Sequence, residues 1–219
     1  MKTLLSCMTI TCMLFLLSTK TFAQNTDNGY EETDIIYADD IAVPSNTIRV
    51  SGGPAWITSK VISEYGRASK KTGYELSVDY GHLWNTNNNF NGALACGFGI
   101  NYSYNSTSMG IPGHGSSTLT QYYIGPSFVM EWRTVKNWIW SSTIGLGYAH
   151  YDDYGYTQDG FGYLARIGCE YMVTDHLGFG MQLQTIQARF EKPEGFQLER
   201  NESYGYDRIG LQVGARFYF

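Results

Sequence analysis

The chain of 219 residues is long enough for one ordinary domain or one compact barrel. Its composition, 43% hydrophobic and 16% charged with 18 Tyr, 11 Phe and 25 Gly, excludes a disordered chain and argues against a helix-rich enzyme, because Gly and Tyr are poor helix formers. The formal net charge is −5, but residues 47–219 carry 13 bases and 14 acids without a basic stripe, so we expect no nucleic-acid partner.

The first element in the chain, Met1–Ala23, has the pattern of a cleavable signal peptide. Lys2 supplies the positive start, Ile10–Leu17 is the apolar centre, and Thr21-Phe22-Ala23 places small residues at both recognition positions, which predicts cleavage after Ala23. The apolar run is too short to span a bilayer as a helix, and no later segment has 18 consecutive apolar residues. The exported protein is therefore either a soluble β protein or one that crosses a membrane as strands.

An acidic segment follows at residues 24–46. It contains six acids and no base, which predicts a flexible periplasmic leader. The apolar Ile35-Ile36-Tyr37 within it leaves open an alternative, in which the leader docks to a periplasmic partner. The six acids are Asp27, Glu31, Glu32, Asp34, Asp39 and Asp40.

From Thr47 onward, eight runs alternate in polarity and indicate β-strands. Short separators alternate with longer ones, the arrangement of outer-membrane barrels, with an even strand number and both termini on the short-turn, periplasmic side. The predicted strands are 47–58, 72–84, 90–104, 118–132, 137–151, 160–173, 177–190 and 204–219. The short turns are 85–89, 134–136 and 174–176, and the long loops are 59–71, 105–117, 152–159 and 191–203.

The two faces of these strands favour a barrel over a soluble sandwich. In the last strand, alternate residues from Ile209 to Phe219 form an apolar face, whereas the residues between them are Gly, Gln, Arg and Tyr. An apolar surface facing lipid and a tight polar interior account for both faces. Aromatic residues also cluster at strand ends, as membrane-interface girdles do. Those predicted at the periplasmic end are Trp84, Trp132, Trp138, Tyr171, Phe217 and Phe219, and those at the outer end are Trp56, Tyr74, Tyr102, Tyr122, Tyr148 and Tyr163.

Three local features need an explanation of their own. Pro54 and Pro126 interrupt strands, so we expect bulges or kinks there. The seventh strand loses its alternation after Gln184, which predicts a bulge or emergence from the bilayer. Cys96 and Cys169 lie on the apolar face, three strands apart, and are too distant for a disulfide.

The last eight residues, Gln212-Val213-Gly214-Ala215-Arg216-Phe217-Tyr218-Phe219, resemble the C-terminal assembly signal of outer-membrane barrels. Tyr123–Ser127 and Glu170–Leu177 are similar to strand and turn segments of small outer-membrane barrel proteins, of which the OmpA/OmpX-like eight-stranded group is nearest in architecture. The resemblance covers residues 47–219. It implies an eight-stranded antiparallel up-and-down barrel recognised by the barrel-assembly machinery, with Gln212, Gly214, Phe217 and Phe219 as the assembly signal.

The charged residues of the inward face are the main candidate site. They could form a gated proton or ion path, but in an eight-stranded barrel, which side chains just fill, a plug of salt bridges is favoured. The predicted lumen charges are Arg49, Glu75, Asp79, Glu131, Arg166, Glu170, Arg208 and Arg216.

No cofactor or metal is expected. The four histidines are scattered without metal-ligand spacing, and Gly97-Phe98-Gly99 and Gly145-Leu146-Gly147 lack the rest of a dinucleotide fingerprint. His150, expected beside Tyr148, Asp152 and Asp153 near the outer end, is the one candidate catalytic residue, because lipid A-modifying barrel enzymes place a histidine at that height. A triad also needs a nucleophile, and none is paired with His150 in the sequence.

The sequence therefore predicts a non-enzymatic, monomeric outer-membrane barrel with a structural or surface-interaction role through four long extracellular loops. Its expected partners are outer-membrane lipid, lipopolysaccharide and the barrel-assembly machinery, with host or surface ligands contacting the loops. The alternatives are a lipid A-modifying enzyme and a narrow conduit for a small solute.

Overall fold

A computed structural model describes residues 45–59, 62–63, 66–67, 70–87, 93–111, 113, 115–135, 137–153, 156–191 and 204–219. The predicted signal peptide, and the predicted leader up to residue 44, lie outside these ranges. Within them, no helix has the length and apolarity needed to cross a membrane.

Eight antiparallel strands close into one up-and-down barrel, in which each strand pairs with its neighbours along the chain and the last pairs with the first. The predicted all-β architecture and strand number are confirmed. The barrel strands are β1 (Asn46–Ile57), β4 (Lys70–Asn87), β5 (Ala93–Ile111), β6 (Gly115–Val135), β7 (Trp138–Asp153), β8 (Tyr156–Met172), β9 (Leu177–Phe190) and β10 (Gly205–Tyr218). Two short strands, β2 (Ile62–Ser63) and β3 (Gly66–Arg67), form a separate two-stranded sheet.

Because polar and apolar residues alternate along the strands, the barrel has a polar inner face and an apolar outer face over much of its length. On β7, for example, Ile144, Leu146 and Tyr148 are exposed, whereas Thr143 is buried. Large apolar side chains cover the outer surface, and Val213 is 63% exposed. Exposed apolar area on this scale marks a surface that meets lipid or another protein.

Both ends of the barrel serve as reference points below. The terminal rim is the end where the described barrel starts and finishes, at Asn46 and Phe219, whose backbones exchange N–H···O bonds of 3.0 and 2.9 Å. The distal rim is the opposite end, where β5 turns into β6 around Gly113.

The prediction of long loops is wrong at two of the four positions, where the structure has longer strands joined by short connections. Residues 105–117 and 152–159 were expected to be loops, but β5 continues to Ile111, β6 begins at Gly115, and β7 and β8 are separated only by residues 154–155. Gly113 and Gly115 have φ of 82° and 85°, a left-handed conformation that favours glycine and allows the tight β5–β6 connection. The distal rim therefore consists partly of extended hairpins.

The expected irregularities also differ from those observed. At Gly53-Pro54 the pairing of β1 with β10 lapses but resumes in the same register, and at Gly125-Pro126 the pairing of β6 with β7 does the same. The prolines therefore remove ladder bonds without a bulge. The register shifts lie instead between Asn85 and Asn87 and between Arg133 and Val135.

The prediction of a bulge in the seventh barrel strand is wrong, because β9 keeps one register with both β8 and β10 along its paired length. Its apolar residues Ile186 and Ala188 point inward and are fully buried. The interior itself changes from polar to apolar at this height.

Among the described residues, Cys96 and Cys169 form no disulfide. Cys96 is on β5 and Cys169 on β8, with β6 and β7 between them. Three strand spacings of about 4.8 Å exceed the reach of a disulfide, as the alternation predicts.

Candidate functional site: a filled polar lumen

All eight predicted lumen charges are buried inside the barrel, each with a relative exposure of 8% or less. They form three groups along the lumen, each with at least one arginine and one carboxylate. The Gln184 side chain links two of these groups, since it accepts from Arg166 and donates to Glu75.

The group at the terminal rim contains Arg49, Arg216, Glu131 and Glu170. Arg49 and Arg216 face each other in adjacent strands, an arrangement that would repel without a shared counter-ion. Glu170 provides that counter-ion, because it pairs with Arg49 Nη2 and lies 3.2 Å from Arg216 Nη2. Arg216 also pairs with Glu131, and the Tyr218 hydroxyl donates to Glu170 at 3.1 Å.

A polar amide layer lies directly against this group. Arg49 Nη1 donates to Gln182 Oε1 at 2.6 Å, Gln182 Nε2 donates to Ser51 Oγ at 2.7 Å, and Ser51 Oγ donates to Gln212 Oε1 at 2.9 Å. Gln182 and Gln212 therefore do not join the Arg166 group. They extend the Arg49 group.

The middle group joins Arg166 to Asp79 across the lumen. The side chains of this ion pair are 2% and 10% exposed. Asn101 Nδ2 donates to the other Asp79 oxygen at 2.7 Å, and Arg166 Nε donates to Gln184 Oε1 at 2.7 Å. Asp79 therefore accepts hydrogen bonds on both oxygens, as a buried carboxylate requires.

The third group is the most deeply buried, with side-chain exposures of 1% for Arg208 and 0% for Glu75. Arg208 Nη2 lies 2.7 Å from Glu75 Oε1, while its Nη1 donates to Gln121 Oε1 at 2.9 Å. Gly210 makes room for this carboxylate, because a Cβ at that position would lie 2.3 Å from Glu75 Oε2. Glycine at the inward face is thus a space requirement of the ion pair.

Beyond the third group, an apolar cluster fills the lumen toward the distal rim. The sequence reading missed this cluster, although Ile186 and Ala188 in the polar register were the signal for it. Its buried members are Ile57, Met109, Leu119, Tyr123, Ala149, Tyr151, Leu164, Ile186, Ala188 and Tyr206.

Little free space remains at the terminal group. A cavity lined by Arg49, Ser51, Glu170, Gln182 and Arg216, among others, has a volume of about 10 Å³. That is room for about one water molecule.

The sequence reading also missed one inward arginine, Arg133 on β6. It lies two residues beyond Glu131 in the same alternation, is 9% exposed, and places its guanidinium 5.6 Å from the centre of the Tyr218 ring. Its Nε and Nη2 atoms are buried without a hydrogen-bond partner in the described structure.

The residues of the predicted assembly signal divide between the two faces of β10. Gln212 is buried in the lumen, where it donates to Ser77 at 3.0 Å. Phe217 and Phe219 point outward at the terminal rim, about half exposed, with ring centroids 6.0 Å apart. Gly214 has no room for a side chain, since a Cβ would lie 2.3 Å from the Val50 carbonyl oxygen.

His150 lies on the outer wall rather than in the lumen. Its Nδ1 is 2.6 Å from Asp159 Oδ1, an acid that the sequence reading did not select, and its ring stacks on Tyr122 at 4.4 Å. Tyr148 donates to the same Asp159 oxygen. The expectation that Asp153 lies beside His150 is wrong, because Asp153 points inward and accepts from Ser117 at 2.8 Å. Among the described residues, no group of three or more His, Cys, Asp or Glu could hold a metal ion.

The fold is that of small eight-stranded outer-membrane barrels, as the OmpA/OmpX-like resemblance implied. The structure is similar to Neisserial surface protein A (NspA), with a TM-score of 0.54 and 17% identity over 82% of this chain and 100% of that one. It also matches OprG from Pseudomonas aeruginosa (TM-score 0.46, 12% identity, 81% and 98% covered) and Ail of Yersinia pestis (0.43, 12%, 81% and 100%). No family model matches the sequence, and neither does any curated protein.

Proposed function

We propose that this protein is a non-enzymatic, monomeric outer-membrane barrel with a sealed lumen, which acts through the surface of its distal rim. The apolar outer wall and the NspA-like fold support a membrane location. Phe217 and Phe219, exposed at the end of the closing strand, are available to the barrel-assembly machinery during insertion.

The filled lumen is the observation that carries the sealed-barrel proposal. Three ion-pair groups occupy the polar part of the interior, and the apolar cluster occupies the part beyond them. An ion would have to displace paired charges and then cross the buried apolar cluster, and both steps are costly. A narrow conduit is correspondingly disfavoured.

The polarity of the outer barrel wall supports the proposal that the distal part of the barrel is exposed to water. On β5, Phe98 and Ile100 face outward, whereas Ser106 and Ser108 face outward nearer the tip, with Met109 fully buried inside. On β6, Leu119 is likewise buried beside outward-facing Thr118. Apolar-inside and polar-outside is the pattern of a water-exposed β-structure. We place neighbouring lipopolysaccharide and extracellular ligands at this end.

The lengths of the strands support the same placement. A tilted strand crosses the hydrocarbon core with about 9–11 residues, whereas β5 has 19 residues and β6 has 21. About ten residues of each strand therefore remain for the interfaces and for projection beyond the membrane. The surface for partners is thus a folded hairpin as well as loops.

Two measurements test this proposal. Planar-bilayer recordings of the purified protein should show no steady open channel, and a stable ion-selective conductance abolished by Glu131→Gln would contradict the sealed lumen. An epitope inserted after Gly113 should be labelled on intact cells. Labelling only after permeabilisation would show that the distal rim faces the periplasm and would refute the surface role.

The His150–Asp159 contact is the observation that favours a second candidate, a lipid-modifying enzyme at the outer wall. His150 contacts Tyr122, Tyr148 and Asp159, none of which is a serine or cysteine nucleophile. An assay for acyl release from lipid A should therefore give no product. Release that is lost in His150→Ala would favour the enzyme instead.

A further inference from the structure

Arg133 differs from the other inward arginines in its surroundings. Arg49, Arg166, Arg208 and Arg216 each pair with at least one buried carboxylate. Arg133 is 9% exposed, and its Nε and Nη2 atoms are buried without a hydrogen-bond partner among the described residues. An isolated buried cation is costly, and proteins pair such groups or bind a counter-ion to them.

The two unpartnered donors of Arg133 have the geometry of a recognition site. Nε–H and the adjacent Nη2–H lie on the same edge of the guanidinium plane and point in parallel. This fork matches the two oxygens of a carboxylate or a phosphate. The aromatic ring of Tyr218, 5.6 Å away, packs against the guanidinium and limits its rotation.

The buried residues at the terminal rim carry a net positive charge, as an anion-binding site requires. Among the described buried charges at this rim, Arg49, Arg133 and Arg216 face only Glu131 and Glu170, so one buried positive charge is in surplus. Asp175, in the turn after β8, also interacts electrostatically with Arg133, but it is exposed to solvent. Both glutamates already pair with the other two arginines. No described buried carboxylate at this rim is left for Arg133.

We propose that Arg133 forms a buried oxyanion-binding site at the terminal rim, which takes one carboxylate or phosphate group on its Nε/Nη2 edge. The site does not depend on the proposed function. Two sources carry this chemistry: a free anion such as phosphate, and a carboxylate of the acidic segment that precedes β1.

The chain itself brings the second source within range. Asp40 precedes Asn46, the first residue of β1 at the terminal rim, by six residues, which span about 20 Å when extended. Eight strands at about 4.8 Å spacing, with the usual tilt, enclose a barrel about 12–16 Å across between backbones. The carboxylate of Asp39 or Asp40 can therefore reach Arg133 from any point of the rim.

The test follows the ¹⁵N resonances of arginine Nε–H groups in the full chain, refolded in detergent micelles. Arg133→Lys, which keeps the charge but removes the fork, identifies the Arg133 signal. Arg189 is the internal control, because it is exposed on the outer wall and paired with Asp207. A second protein carries amides at all six acids of residues 24–46. Both proteins are titrated with inorganic phosphate against chloride at constant ionic strength.

A free-anion site gives a saturable shift of the Arg133 signal in both proteins with equal affinity. A leader carboxylate gives an Arg133 signal that already differs between the two proteins before titration. Phosphate then binds the parent at least about tenfold more weakly than the amide variant, because the tethered group competes at high effective concentration. The proposal is overturned if Arg133 responds in neither protein and the two spectra coincide, or if Arg133 and Arg189 respond alike.

Discussion

The Arg208–Glu75 pair allows the energetic role of the lumen charges to be measured. Glu75→Gln keeps an oxygen at the position that accepts from Arg208, Ser103 and Gln184, and removes only the negative charge. The substitution leaves Arg208 buried without its counter-ion. Because both side chains are almost fully buried, no solvent is available to compensate.

The expected loss follows from the geometry. Two unit charges 2.7 Å apart attract by about 6 kcal/mol at an effective dielectric constant of about 20. Part of this gain only offsets desolvation, and removal of one partner of a buried pair costs about 3–5 kcal/mol in practice. Glu75→Gln should therefore lower the free energy of unfolding by about 3–5 kcal/mol.

The assay is urea unfolding in lipid vesicles, followed by tryptophan fluorescence. Asp207→Asn is the matched control, because the Arg189–Asp207 pair has a similar separation of 2.9 Å but is 42% and 27% exposed. It should cost less than about 1 kcal/mol. Adding Arg208→Met to Glu75→Gln should recover most of the loss, since the stranded charge is gone. Equal effects of Glu75→Gln and Asp207→Asn would refute the argument.

Three further predictions concern the barrel as a whole. The closed sheet should resist SDS until heated, so boiled and unboiled samples should migrate differently on a gel; identical migration would contradict a stable barrel. Deletion of Phe219 removes both backbone bonds to Asn46 and an aromatic of the assembly signal, and should reduce outer-membrane insertion. Normal surface levels of that deletion would show that the terminal pattern is coincidental. Cys96 and Cys169 should both titrate as thiols after denaturation without reductant, and loss of both would contradict the strand order.

The facing of the lumen residues could be predicted from the sequence because side chains in a strand alternate with a period of two. Once Arg216 and Gln212 are on one face, every second residue follows. The same rule applied two residues beyond Glu131 would have found Arg133. Its position next to a predicted turn concealed it, since the alternation was followed only to Trp132.

The pairing of the charges could not be predicted from alternation. Asp79 stands directly opposite Arg49 in the register of β1 and β4, yet it pairs with Arg166 on the far wall. The choice depends on strand tilt and on which long side chains can meet across the lumen. Neither the strand tilt nor the meeting of side chains across the lumen can be predicted from the sequence of a single strand.

The distal hairpins were misread because polar composition was taken as loop composition. Asn105 and Thr107 are polar but fully buried on β5, where the Thr107 hydroxyl donates to the Asn105 side chain at 2.7 Å. In a barrel with a polar interior, Asn, Ser and Thr are strand residues of the inner face. The turn itself was visible in the sequence, as two glycines flanking a single residue at Gly113 and Gly115.

The change of polarity along the strands explains why the interior holds charges in one part and apolar residues in another. A shift of one residue exchanges the faces of a strand, so the face that meets lipid must differ from the face that meets the lumen. Where the outside is apolar, as at Phe98 and Ile100, buried ion pairs make that exchange prohibitive, because it would place an arginine or a glutamate in hydrocarbon. Nearer the distal rim the outer face is polar and the interior around Met109 and Leu119 is apolar. A shift of one residue there would expose the apolar side chains and bury the polar ones, so it is disfavoured as well. The charges of the lumen thus specify the register of the membrane part of the barrel. Their absence from the apolar cluster follows from the same requirement.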